Sequence, residues 1–262
     1  MDLSKYRIAI FTRSMNYYLY KLSDNTITLP FKHYRLTYTT AQGYLYDILK
    51  YNIDYAINID EDAFVIDNDA LLELLVYCIN NKVVNCGVRD GGILPIRNGN
   101  PLVTNPFFNI FDVKSIRKQF SLSNISMFLN HEIDYEQLLP NFLHFKYNLT
   151  NDYEPFYPFF LWLNSNFKVL YLNVDQHDDG FTTIVYNHLN QKIIYHSWYS
   201  RVYGIDQFHT ERIKNLYKSC VNKEVKYSLK EELIVQLEKF CNKKLIPLIL
   251  PIRRILKKII AK

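Results

Sequence analysis

The chain has 262 residues, 48% of them apolar, and a formal net charge of +5; that allows one large domain, or a domain with an appendage, and excludes global disorder. The charge is unevenly placed: residues 239–262 hold eight of the 31 cations and no acid, which leaves 23 cations against 26 acids elsewhere. The body is therefore mildly acidic with a basic tail, and a general nucleic-acid binder is excluded. Cys78, Cys86, Cys220 and Cys241 lack any C-x-x-C spacing, so they suggest neither a zinc site nor a disulfide framework, and a reducing cytoplasm is expected. The N-terminus lacks a signal-peptide pattern, and no apolar stretch is long enough to span a bilayer.

Arg7 to Phe11 reads as a first buried strand that leaves through the polar run Thr12-Arg13-Ser14. Residues 17–38 are Tyr-rich and suggest irregular strands. Ala41 to Tyr51 reads as a helix with Leu45, Ile48 and Leu49 on one face, and Asp54 to Ile59 as a second strand. Three acids follow it, Asp60-Glu61-Asp62. Asp67 or Asp69 can cap a helix over Ala70 to Asn80, and Val83 to Val88 is a third strand. Asp90-Gly91-Gly92 breaks that strand, and a Pro/Asn/Gly-rich loop is expected to about Asn109. One helix is expected near Ile133 to Phe142, another over the aromatic run Phe156 to Leu163, and a strand over Lys168 to Val174. Ile193-Ile194-Tyr195 leads into His196, and two terminal helices follow, Gln207 to Ser219 and Leu229 to Asn242.

Alternation of strand and helix argues for an α/β sheet, in which ligands bind beyond the carboxyl ends of the strands. The acid triplet sits at such an end. Burying three carboxylates together costs several kcal/mol unless something positive compensates, and hard oxygen ligands suit Mg2+ or Mn2+.

Gly43, the helix ending at Asn52, and the run from Ile53 to Asp62 resemble the central signature of GT-A-type glycosyltransferases, in which a helix leads into a strand ending in the D-x-D motif. The resemblance runs from the first strand to about residue 200; residues 101–151 lie outside anything it places. It implies an α/β fold with a single Rossmann-like mixed sheet flanked by helices. It also implies a catalytic domain over residues 1–205, with C-terminal helices over 206–243 as an appendage. A nucleotide-sugar donor would lie across the switch point of the sheet. Asp60 and Asp62 would hold Mn2+ or Mg2+ on its diphosphate, with His196 as a third metal ligand. His177, beside Asp178 and Asp179, competes for that place as a ligand or as a turn residue. Thr12 and Arg13 fall where the family contacts the nucleoside, although the same residues also read as an ordinary strand exit. Asp90 falls within reach of the donor sugar, or forms a turn. Asp152 and Glu154 stand where inverting members place the general base, and an acid before a helix also suits the helix dipole. The resemblance implies a hexosyltransferase, and departures from the pattern leave both the nucleotide and the choice between inversion and retention open.

In the tail, Ile252, Ile255, Leu256, Ile259 and Ile260 repeat at helical spacing opposite Arg253, Arg254, Lys257 and Lys258. Residues 244–262 therefore read as an amphipathic basic helix that either lies on the anionic inner face of the cell membrane or packs on the body. The first suits a glycan or lipid-linked acceptor and a role in polysaccharide biosynthesis. Two other readings stand beside this one. A non-catalytic, membrane-associated sugar-nucleotide-binding protein is the first. A sugar-phosphate nucleotidyltransferase is the second, and the absence of glycine from Phe11 to Asn16 argues against it.

Overall fold

The computed structural model describes residues 1–129, 133–150, 152–221 and 224–241. β1 (Ile8–Arg13) passes to α1 (Tyr17–Thr26), then β2 (Lys32–Leu36), α2 (Gly43–Ile48) and β3 (Tyr55–Ile59). β4 (Ala63–Val65), α3 (Asn68–Asn80), β5 (Asn85–Arg89) and β6 (Thr104–Asp112) follow. Next come α4 (Val113–Gln119), α5 (Leu122–Ser126), α6 (Tyr157–Asn166), β7 (Val169–Tyr171) and β8 (Val174–Gln176). β9 (Thr183–Tyr186), β10 (Lys192–His196), α7 (Gln207–Cys220) and α8 (Leu229–Phe240) complete the described elements.

The main sheet has six strands in the order β2-β1-β3-β6-β5-β7. β6 runs antiparallel to both neighbours, while β1 pairs in parallel with β2 and β3, and β5 with β7. The fold is thus a mixed α/β sheet flanked by helices. Alternation along β1 shows why both faces are covered. Ile8 and Ile10 pack with α3, whereas Ala9 and Phe11 pack with α2 and α6. The Asp67 carboxylate caps α3 by accepting from the Ala70 amide at 2.9 Å.

Three expectations need correction. Residues 17–26 are a helix, because Leu19, Leu22, Ser23 and Thr26 fall on one buried face; only residues 32–36 of the Tyr-rich stretch form a strand. The expected loop to Asn109 contains β6, a central strand. Pro106 is tolerated there because it falls where the ladder to β5 shifts register, so no ladder hydrogen bond is lost. The helix expected at 133–142 is only a single 3-10 turn, Tyr135–Leu138, with Pro140 just beyond it.

A second, four-stranded antiparallel sheet has the order β4-β10-β9-β8. Its register sets His196 opposite Ala63, the residue after the acid triplet. α7 covers Phe64 of β4 through Ile213, Leu216 and Tyr217. α8 returns to the start of the chain, where Glu238 meets Arg35 at 2.5 Å and accepts from the Tyr17 amide at 3.1 Å. Among the described residues no helix is long and apolar enough to cross a membrane. The amphipathic helix read over 244–262 lies outside the described residues.

Candidate active site

The three acids sit where β3 of the first sheet becomes β4 of the second, and they do three different things. Glu61 turns back toward β1. Its Oε2 accepts from the Ser14 hydroxyl at 2.8 Å and from the amides of Met15 and Asn16 at 2.9 and 2.8 Å. Burial pushes its carboxyl up to about 7, against the pull of those hydrogen bonds. The loop after β1 is thereby clamped to the end of β3. Arg35 tightens the clamp by donating to the Ser14 hydroxyl at 3.0 and 2.8 Å.

Asp62 is buried beside His196, with Oδ1 3.4 Å from Nε2. Burial disfavours its charge, but the imidazole and the Ser200 hydroxyl prevail and hold its carboxyl below the ordinary range. The backbone enforces this pairing: the Asp62 carbonyl accepts from both the amide and the hydroxyl of Ser197, at 2.9 and 3.0 Å. Asp60 keeps partial exposure. Its deep setting and the like charges of Asp62 and Glu61 push its carboxyl well above the ordinary range, with Arg13 opposing them.

Two imidazole neighbours shape the same wall. Phe107 stacks on His196 at 3.9 Å between centroids and 9° between planes, and Trp198 lies at 4.3 Å. His196 Nδ1 is buried without a hydrogen-bond partner. The turn after His196 is strained, because Trp198 and Tyr199 both adopt left-handed backbone, with φ of 55° and 57°. Buried Arg212 of α7 fixes that turn: it donates to the carbonyls of Ser197 and Trp198 at 2.7 and 3.3 Å and pairs with Asp179 at 3.1 Å.

Across Phe107 lies a second polar group, centred on Asp90, which is fully buried. Arg97 grips it with two hydrogen bonds of 3.0 Å, Tyr157 donates its hydroxyl at 2.5 Å, and the Asn105 amide donates to the same carboxylate. Arg97 also holds Glu154 at 2.9 Å. Burial raises the Asp90 carboxyl above its usual value despite Arg97 and these donors. The approach is close enough to demand glycine: a Cβ on Gly99 would overlap the Asp90 carboxylate and the Tyr157 hydroxyl. A tight crevice of only about 10 Å³ runs along this group, walled by Asp90, Arg97, Asn105, Phe107, Thr183 and Trp198. A hollow of about 890 Å³ lies along α7 and includes none of the three acids.

Sequence reasoning brought Asp60, Asp62 and His196 to one place, and the structure sets the last two in contact. Glu154 and Asp90 are joined through Arg97, whereas Asp152 is exposed. Thr12 is fully buried, with its hydroxyl 2.8 Å from His33, which meets Asp24 at 2.6 Å, so that side chain faces β2. Arg13 is partly buried near Tyr44, 5.8 Å from the ring centroid. His177 accepts from the Asp179 amide at 3.1 Å within its own turn. Arg97, Asn105, Tyr157 and Glu61 were missed. For the first two the only signal was the Gly/Asn/Pro punctuation of residues 90–109, which also reads as an ordinary loop.

Among the described residues, no group of three or more His, Cys, Asp or Glu side chains is drawn together closely enough to hold a metal ion. Two carboxylates and an imidazole are nevertheless a donor set suited to Mn2+ or Mg2+. The orphaned His196 nitrogen and the mutual repulsion of Asp60 and Asp62 both fit a group that a cation would complete.

No protein-family model and no curated protein sequence matches the chain. Among solved structures, it is similar to the galactosyltransferase LgtC in complex with donor and acceptor sugar analogues (TM-score 0.45, 12% identity, 83% of this chain and 97% of that one). It is also similar to the mannosyltransferase PcManGT from Pyrobaculum calidifontis in complex with GDP-Man and Mn2+ (TM-score 0.34, 8% identity, 43% of this chain). The match spans only 46% of that mannosyltransferase's length. A197 from STIV matches at TM-score 0.36 and 10% identity over 71% of this chain and 93% of that one. These likenesses concern the course of the chain.

Proposed function

We propose that the protein is a metal-dependent glycosyltransferase that moves a sugar, a hexose in the first instance, from a nucleotide-sugar donor to a glycan or lipid-linked acceptor. One observation carries the reading: the two sheets join at the acid triplet, and their register sets Asp62 against His196 with Asp60 beside them. Asp60 and Asp62 would hold Mn2+ or Mg2+, with His196 as the third donor. The bound cation would stabilise charge on the leaving nucleoside diphosphate. Glu61 shapes the loop after β1, so that Arg13 is held near Asp60, where a guanidinium suits a phosphate or a nucleoside. Asp90 anchors Arg97 from below, and the partly exposed Arg97 and Glu154 offer fixed polar groups to sugar hydroxyls. Glu154 is the better placed of the two candidate bases, because Arg97 holds it in position while Asp152 is exposed. The basic tail is assigned to an anionic inner membrane face, where each cation contributes about 1 kcal/mol.

The test is a thermal-shift panel of nucleoside-diphosphate sugars, each with and without Mn2+. A stabilisation requiring both metal and one nucleotide sugar, lost in Asp62→Asn, is expected. Metal-dependent turnover retained in both Asp60→Asn and Asp62→Asn would overturn the site.

A further inference from the structure

The carboxyl edge of the main sheet carries a second hollow beside the cleft. It lies past the ends of the parallel strands β5 and β7 and has a volume of about 410 Å³, within the size range of small-molecule sites. Arg89, the last residue of β5, and Ile93 line both spaces and so form the wall between them.

Arg89 is the unusual feature. Its guanidinium lies 3.6 Å from the Tyr171 ring centroid and 5.6 Å from that of Phe142, and it donates to the Pro101 carbonyl at 2.7 Å. Two other guanidinium groups near the cleft, partly buried Arg97 and buried Arg212, each meet a carboxylate: Arg97 meets Asp90, and Arg212 meets Asp179. Arg89 meets rings and a carbonyl, and among the described residues no carboxylate lies within ion-pair reach of it. Burial accordingly lowers its affinity for its proton, with only Tyr171 opposing. A guanidinium held partly out of water without a counter-charge is costly, and its planar fork is suited to a carboxylate or phosphate. Asp175, on the rim, is engaged by the Tyr186 hydroxyl at 2.8 Å. Asn173, Asn190 and His144 add polar groups around the opening.

We propose that this hollow is the acceptor subsite and that it takes an anionic saccharide, with the carboxylate or phosphate on Arg89 and the sugar hydroxyls among Asn173, Asn190 and His144. Its role as an acceptor subsite rests on the glycosyltransferase reading; its choice of an anionic sugar rests on Arg89 alone.

The test is calorimetric titration of the full chain, without donor or metal, using glucuronate, glucose 6-phosphate, glucose and inorganic phosphate. At least one charged sugar is expected to bind ten or more times tighter than glucose, and which one names the anion. Arg89→Met should erase that advantage, Arg89→Lys should keep part of it, and Asp62→Asn should leave it unchanged. Should Arg89→Met fail to fold, Asn173→Asp at the exposed rim provides the second variant, and it should weaken the charged sugar tenfold while sparing glucose. The proposal is overturned if glucose binds equally well, if the charged sugar is indifferent to both variants, or if inorganic phosphate alone matches glucose 6-phosphate. Nucleotide-sugar binding on the same preparation reports separately. If it is absent while Arg89-dependent sugar binding persists, the transferase reading falls and the anionic-sugar site stands.

Discussion

Arg97→Met is the sharpest probe of the polar group behind the cleft. Arg97 makes two 3.0 Å hydrogen bonds to an Asp90 carboxylate that has no exposure. Removing one partner of a buried pair costs about 3–5 kcal/mol, because the other charge is left uncompensated. The Arg97 side chain is itself 22% exposed, so water already offsets some of that cost and the lower end, about 3 kcal/mol, is expected. For a chain of this size that is a fall of about 6–12 °C in melting temperature. The pH dependence has a definite sign. The Asp90 carboxyl already sits above its ordinary value through burial, with Arg97 the chief opposing influence. Without Arg97 it rises further, so the folded variant takes up a proton that the unfolded chain does not. The penalty is therefore full at high pH and shrinks as pH falls through the folded-state value. Urea unfolding followed by the fluorescence of Trp162 and Trp198, repeated from about pH 8 to about pH 5, measures this. A loss below about 1 kcal/mol, or one that does not change with pH, would refute the account of Asp90 as a charge held by Arg97.

Asp60→Asn should stabilise the metal-free protein by about 1–2 kcal/mol, by removing one of several like charges, while abolishing Mn2+-dependent nucleotide-sugar binding; a lower melting temperature without metal would contradict the repulsion. Gly99→Ala should cost about 1–3 kcal/mol through overlap with Asp90 and Tyr157, read as a shift in urea midpoint, and a neutral result would mean that the group relaxes freely. Deleting residues 244–262 should release the protein from anionic liposomes and leave its melting temperature unchanged, whereas unfolding of the truncated body would assign the tail to the core.

The legible parts of the fold were those with strong local periodicity. β1, β3 and α3 follow from apolar runs whose period matches the element and, for α3, from the Asp67 cap. α1 was obscured because its ten residues include three tyrosines and mean hydropathy near neutral, so the buried stripe of Leu19, Leu22, Ser23 and Thr26 contains only two clearly apolar side chains. β6 was hidden by Pro106 and by buried asparagines at 105 and 109, which donate to Asp90 and Asn85, fifteen and twenty-four residues away. The acids were legible because charge at a buried strand end is locally anomalous. Arg97 was not, since nothing nearby in the chain marks which carboxylates it will meet seven and fifty-seven residues away.

The acid triplet shows why a run of three charges persists at one strand end. Its middle member serves the fold: Glu61 satisfies two amides and a hydroxyl that would otherwise be stranded after β1. A glutamate reaches back across that gap, and Glu61→Gln would retain one acceptor oxygen but lose the charge that strengthens all three bonds. In the turn between β3 and β4, Glu61 points toward β1, Asp62 meets His196, and Asp60 keeps partial exposure. The clamp and the candidate cation site are thus consequences of one local geometry. Damage to the clamp should appear first as weakened donor binding, before any loss of the sheet.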